Sequence, residues 1–87
     1  MILYNSVGEV KSAYSSTCLE CPAILRYHVR GTTEKVYFPA WFDERRGIVV
    51  SADNQEVNYK YWDVCETNGS EEGYLIYDKF CKEKGAL

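Results

Sequence analysis

The sequence predicts an α+β fold, with a four- to five-stranded antiparallel meander sheet flanked by a short N-terminal helix and a C-terminal helix. Apolar and polar residues alternate in most of the region between residues 23 and 64, which is the pattern of half-buried strands. The connections between the alternating segments are four or five residues long, which is too short for a parallel crossover. Helical spacing occurs towards the two ends of the chain. With 87 residues, the chain is expected to form a single domain over residues 1–87.

The N-terminal region is expected to form a short strand followed by a helix. Residues 1–5 begin with an apolar run that fits a strand. Ser6 and Glu9 then have the spacing of a capping box, in which each side chain bonds a backbone N–H at the helix start. Val7, Val10 and Tyr14 follow at helical spacing, so the helix is expected over residues 7–15.

The middle of the chain is expected to form the sheet. Its four predicted strands cover residues 23–30, 35–42, 48–52 and 57–64. Short connections favour antiparallel pairing of successive strands. Pro39 lacks a backbone N–H, so the second strand is expected to be bulged or to lie at an edge of the sheet.

A C-terminal helix is expected to begin after Ser70, whose side chain can cap it, and to end at about Gly85. The spacing of its apolar residues predicts the face that packs on the sheet. That predicted core face comprises Tyr74, Tyr77, Phe80 and Cys81.

The most specific chemical pattern is the Cys-x-x-Cys pair of Cys18 and Cys21. Two thiols at this spacing can bind one metal ion or form a redox pair. A structural zinc site needs four ligands, which Cys65 and His28 would complete, with Cys81 as an alternative. The competing interpretation is that no cofactor is bound and each thiol packs as a small apolar group, which the absence of a second Cys-x-x-Cys pair favours.

Catalysis is not expected, and no residue is assigned a catalytic role. The sequence contains no glycine-rich phosphate loop, nucleophile elbow or His-x-x-x-His pattern. The alternative is a thiol-dependent enzyme or redox protein, in which His28 would activate Cys18 or Cys21. A redox pair usually sits at a helix N-terminus, whereas a strand is expected to follow this pair.

The composition predicts a binding partner that is itself a protein. The net charge of −3 argues against nucleic acid, and the aromatic content of 15% exceeds what so small a core can bury. A basic partner surface would complement the charge, and a second copy of the chain is the other candidate partner. The expected function is that of a small inhibitor or adaptor, of the kind that phages and other mobile elements encode. The candidate partner-binding residues are Tyr37, Trp41, Arg45, Tyr59 and Trp62.

The location expected from the sequence is the cytoplasm. The N-terminus lacks the basic and apolar pattern of a signal peptide. Membrane spanning takes about 20 consecutive apolar residues, and the sequence has no such stretch. No membrane interaction is therefore expected.

Overall fold

The computed structural model describes residues 3–14 and 21–83. The elements in chain order are α1 (Val7–Tyr14), β1 (Ala23–His28), β2 (Lys35–Asp43), β3 (Ile48–Val50), β4 (Asp63–Thr67) and α2 (Glu71–Glu83). The four strands form one antiparallel sheet in the order β3-β2-β1-β4. The predicted α+β class, with an antiparallel sheet and a helix at each end, is confirmed.

The path of the fourth strand differs from a simple meander. Strands β1, β2 and β3 are sequential neighbours, but β4 crosses back to pair with β1, which is the order of a Greek key. The strand predicted over residues 57–64 is displaced because a turn interrupts it. The Asn58 side chain accepts a hydrogen bond from the backbone N–H of Lys60 at 2.9 Å, as asparagine commonly does in turns.

Strand β4 contains a β-bulge at Cys65, which faces the space between two neighbouring residues of β1. Ile24 pairs with Glu66 and Leu25 pairs with Val64, so Cys65 is the extra residue of a β-bulge. The bulge bends the strand locally. Cys65 is half-buried there and carries a free thiol.

Strand β2 is an inner strand, although it contains Pro39. Tyr37 and Tyr4 exchange two backbone hydrogen bonds, of 2.8 and 2.9 Å, along the β3 side of β2. Because alternate residues of a strand point their N–H groups to the same side, Pro39 would also face this side. It lies between the Tyr4 bridge and the β3 ladder, which begins at Trp41, so no N–H is needed there. In the described part of the predicted N-terminal strand, residues 3–5, Tyr4 forms this bridge.

Both predicted helix caps are present. The Ser6 hydroxyl accepts a hydrogen bond from the N–H of Glu9 at 3.1 Å, and the Glu9 carboxylate accepts one from the N–H of Asn5 at 2.6 Å. At the second helix, the Ser70 hydroxyl accepts a hydrogen bond from the N–H of Gly73 at 3.1 Å. The two hydroxyls satisfy N–H groups that a helix start leaves without intrahelical partners. The Glu9 carboxylate bonds the N–H of the residue before the Ser6 cap.

The two helices cover opposite faces of the sheet. Helix α2 covers the face that carries Leu25 and Phe38, and helix α1 covers part of the face that carries Ile24 and Val50. Val10 of α1 is fully buried against this second face. The main core under α2 consists of Ala23, Leu25, Phe38, Ala40, Val49, Val57, Ile76 and Phe80.

The orientation of α2 corrects one prediction. Its buried residues are Gly73, Ile76 and Phe80, which repeat at helical spacing. Tyr74 and Tyr77, predicted to lie in the core, have 61% and 51% of their surface exposed. The helix is therefore rotated relative to the predicted orientation, and two of its tyrosines face outward.

Two contacts at the first turn of α2 account for this rotation. Gly73 lies so close to the chain that a Cβ atom there would be 2.8 Å from the carbonyl oxygen of Pro22. The neighbouring Glu72 carboxylate accepts a hydrogen bond of 2.8 Å from the N–H of Phe42. Phe42 lies near the end of β2, past the residues that pair with β1. Together these contacts turn Gly73 towards the sheet.

Candidate partner-binding surfaces

The five residues predicted to bind a partner do not form one surface. Tyr37 and Trp41 lie on the sheet face that α1 partly covers. Tyr59 and Trp62 pack against the core on the α2 face. Arg45 is exposed in the turn between β2 and β3.

The rings of Tyr59 and Trp62 are held mainly by core contacts. The Trp62 ring is 4.4 Å from the Phe38 ring and 5.4 Å from the Tyr27 ring, measured between centroids. The Tyr59 ring is 4.6 Å from the Phe80 ring. Burial raises the pKa of the Tyr59 phenol, whose hydroxyl has no hydrogen-bond partner among the described residues. Both residues therefore have a structural role.

The other tryptophan, Trp41, lines an open groove, which we call the Trp41 groove. Its volume is about 330 Å³, and its lining residues are Tyr14, Trp41, Ser51, Ala52 and Asn54. The rings of Tyr14 and Trp41 are 5.6 Å apart and meet at 64°. The groove thus offers aromatic surface with a polar loop beside it.

Hydrogen bonds fix the rim of the Trp41 groove. Arg46 donates to the Asp43 carboxylate at 2.7 Å and to the Asn54 side-chain oxygen at 2.8 Å. Asn54 has a φ of 65°, in the left-handed region that asparagine tolerates. The hydrogen bond from Arg46 lowers the pKa of Asp43. The residue that orders this rim is Arg46. A role in binding a partner stays a prediction for all five residues, Tyr37, Trp41, Arg45, Tyr59 and Trp62.

The most exposed aromatic surface lies on the outside of α2. We call it the α2 outer face, and it consists of Glu71, Tyr74, Leu75, Tyr77 and Asp78, all of them exposed. Within this face, Tyr74 is 61% exposed, Leu75 is 40% exposed and Tyr77 is 51% exposed. If the spacing of Ile76 and Phe80 is taken as the core face of the helix, the sequence places Tyr74 and Tyr77 on the outer face.

The thiol of Cys21 is half-buried between α1 and the sheet. It donates a hydrogen bond of 2.7 Å to the carbonyl oxygen of Ala23. Burial raises the pKa of the Cys21 thiol. The adjoining cavity has a volume of about 370 Å³ and is lined by Val10, Lys11, Cys21, Ile24, Glu66, Thr67 and Asn68. This partial burial favours the protonated thiol, which is a poor nucleophile.

The residues predicted to bind zinc are only partly described. Cys18 lies outside the described residues. His28 is at the far end of β1 from Cys21, about 17 Å along the strand from Ala23. Cys65 is in the β4 bulge, beside Ile24 and Leu25. Within residues 3–14 and 21–83, no three possible ligands among His, Cys, Asp and Glu gather at one point. A zinc site stays a prediction.

Alkylation tests whether Cys21 is a reactive thiol. We expect Cys21 in the folded protein to react with iodoacetamide at pH 7 several-fold more slowly than the same residue in urea, because burial raises its pKa and restricts access. The rate should rise as the pH approaches that raised pKa. Peptide mass spectrometry separates Cys21 from the other cysteines. Faster alkylation in the folded protein would support the thiol-dependent alternative.

Comparison with known proteins does not assign the chain to a family. No protein-family model matches the sequence, and searches of curated proteins and of solved structures return no match. No helix within the described part of the chain is long and apolar enough to cross a membrane. The fold and its surfaces define a small α+β domain with an exposed aromatic helix face.

Proposed function

We propose that the protein is a non-enzymatic module that binds another protein through the α2 outer face. The observation that carries the proposal is the exposure of Tyr74, Leu75 and Tyr77 on one short helix. Tyrosine is enriched among the residues that dominate interface energies. It supplies a large contact area at a low cost in conformational entropy. An amphipathic helix that presents such a face fits a groove on a partner.

The charges around the tyrosines indicate the kind of partner. Glu71 and Asp78 are exposed beside them, and the whole chain has a net charge of −3. Complementary charge increases the rate at which partners meet and discriminates against wrong ones. The proposed partner therefore has a basic surface around an apolar groove.

We further propose that the module acts as a stand-alone inhibitor or adaptor in the cytoplasm. A domain of 10.0 kDa that covers a basic surface can block access to it or connect it to another protein. Cys21, Cys65 and Cys81 are free thiols. Cytoplasmic conditions keep such thiols reduced.

Single replacements of exposed tyrosines test the proposal. We expect Tyr74→Ser and Tyr77→Ser each to weaken partner binding about tenfold, as loss of an interface hot spot does. The readout is quantitative mass spectrometry of proteins captured from the cells that make this protein. Tyr61→Ser is the matched control, because Tyr61 is 55% exposed but lies in the turn before β4. Equal capture by all three variants and the wild type would refute the proposal, provided that urea unfolding confirms intact folds.

A further inference from the structure

The α2 outer face has a specific arrangement of rings and carboxylates. Tyr74 and Asp78 are four residues apart on one helix, so their side chains are neighbours, with about 5–6 Å between Cβ atoms. Glu71 lies one turn before Tyr74 on the same side. Among the described residues, no cationic group lies within 4.0 Å of the Asp78 or the Glu71 carboxylate. The two carboxylates therefore form no ion pair with a described lysine or arginine, although Lys82 follows Asp78 by one helical turn.

A tyrosine ring beside a carboxylate favours arginine over other cations. The guanidinium group is planar, so it can stack on the ring and direct its N–H groups to the carboxylate oxygens. The ammonium group of lysine forms the ion pair but does not stack in this way. The aromatic ring of Tyr74 and the carboxylate of Asp78 supply these two contacts from adjacent turns.

We infer that the α2 outer face binds an arginine-rich segment of a partner protein. This inference rests on the proposed function and names the chemistry of the partner. One arginine stacks on Tyr74 and pairs with Asp78, and a second arginine pairs with Glu71. The two carboxylates are seven residues apart, which is about 10 Å along the helix axis. A polyproline II segment advances about 9 Å in three residues and returns its side chains to the same face, so the geometry fits Arg-x-x-Arg in that conformation.

Charge favours this occupant over a second copy of the chain. Each copy carries a net charge of −3 and would present the same carboxylates to the other. Phosphate groups of nucleic acids would be repelled by Glu71 and Asp78.

Peptide titration of the full chain tests the inference. The probes are three proline-rich peptides of equal length that carry Arg-x-x-Arg, Lys-x-x-Lys or Glu-x-x-Glu in the same neutral background and favour the polyproline II conformation. We expect the arginine peptide to shift the amide resonances of α2 in NMR spectra and to bind about two- to fivefold more tightly than the lysine peptide, the difference being the stacking contact. The glutamate peptide should not bind.

Two variants assign the contact to individual residues. Tyr74→Leu should remove the preference for arginine, and Asp78→Asn should weaken the binding of the arginine and lysine peptides alike. Glu44→Gln, in the exposed turn after β2, should leave both affinities unchanged. Equal binding of the arginine and lysine peptides, shifts at the Trp41 groove instead of α2, or self-association of the free protein would overturn the inference. If a partner captured through Tyr74 and Tyr77 contacts them without arginine, the inference fails and the proposed function stands. If the tyrosine replacements leave capture unchanged, both fail.

Discussion

Replacing Trp62 with alanine is expected to cost about 3 kcal/mol of folding free energy, whereas the same change at Trp41 is expected to cost about 1 kcal/mol. Trp62 packs edge-to-face on Phe38, which is fully enclosed in the core, so its removal opens a cavity beside that ring. Trp41 lines an open groove, where its ring packs against that of Tyr14. Solvent can fill the space that Trp41 leaves.

Urea unfolding of the two variants measures this difference. Both substitutions remove the same side chain, so each serves as the control for the other. A loss of similar size in both variants would contradict the packing of Trp62 against the core and of Trp41 beside an open groove. The same experiment shows whether Trp41→Ala is suitable for testing partner binding, because that use requires an intact fold.

The second large effect is expected at Gly73. The substitution Gly73→Ala should destabilise the protein by about 2 kcal/mol, although alanine favours a helix by about 1 kcal/mol relative to glycine. The added Cβ would lie 2.8 Å from the carbonyl oxygen of Pro22 and 3.2 Å from the Thr67 Cβ. That carbonyl oxygen also accepts a hydrogen bond of 2.9 Å from the N–H of Asn68, so it cannot move away without weakening that bond.

Gly8 in α1 provides a matched control for this substitution. A Cβ atom at Gly8 would have the Ser6 hydroxyl as its nearest neighbour, at 3.7 Å, which is an ordinary contact. Gly8→Ala should therefore stabilise the protein by about 0.5 kcal/mol, mainly by restricting the unfolded chain. Thermal or urea unfolding should give opposite signs for the two variants. Stabilisation by Gly73→Ala would mean that α2 does not approach the sheet at Gly73.

Local patterns in the sequence were sufficient for much of the fold. The alternation in β1 and β2 and the cap residues Ser6 and Ser70 act over a few positions, so they can be recognised without knowledge of tertiary contacts. The strand order could not be predicted in this way. The hydrogen bond between Asn58 and Lys60 interrupts an apparent strand, and the continuing chain then pairs with β1 across the sheet.

The candidate surface was missed because it depends on the rotation of α2. Two apolar stripes of this helix are plausible core faces, one containing Tyr74 and Tyr77 and the other containing Ile76. The choice between them depends on the contact between Gly73 and Pro22, which are 51 positions apart in the chain. A glycine inside a predicted helix is the sequence signal that could have indicated a close approach at this point.

Photo-crosslinking from the α2 outer face tests the central claim most directly. A benzophenone amino acid is placed at position 74 or, as a control, at position 61, and the cells that make the protein are irradiated. Both native side chains are exposed, at 61% and 55%, so general solvent access is similar. We predict a discrete adduct with one basic protein from position 74 and none from position 61. No adduct from position 74, or the same adducts from both positions, would contradict a binding role for the α2 outer face.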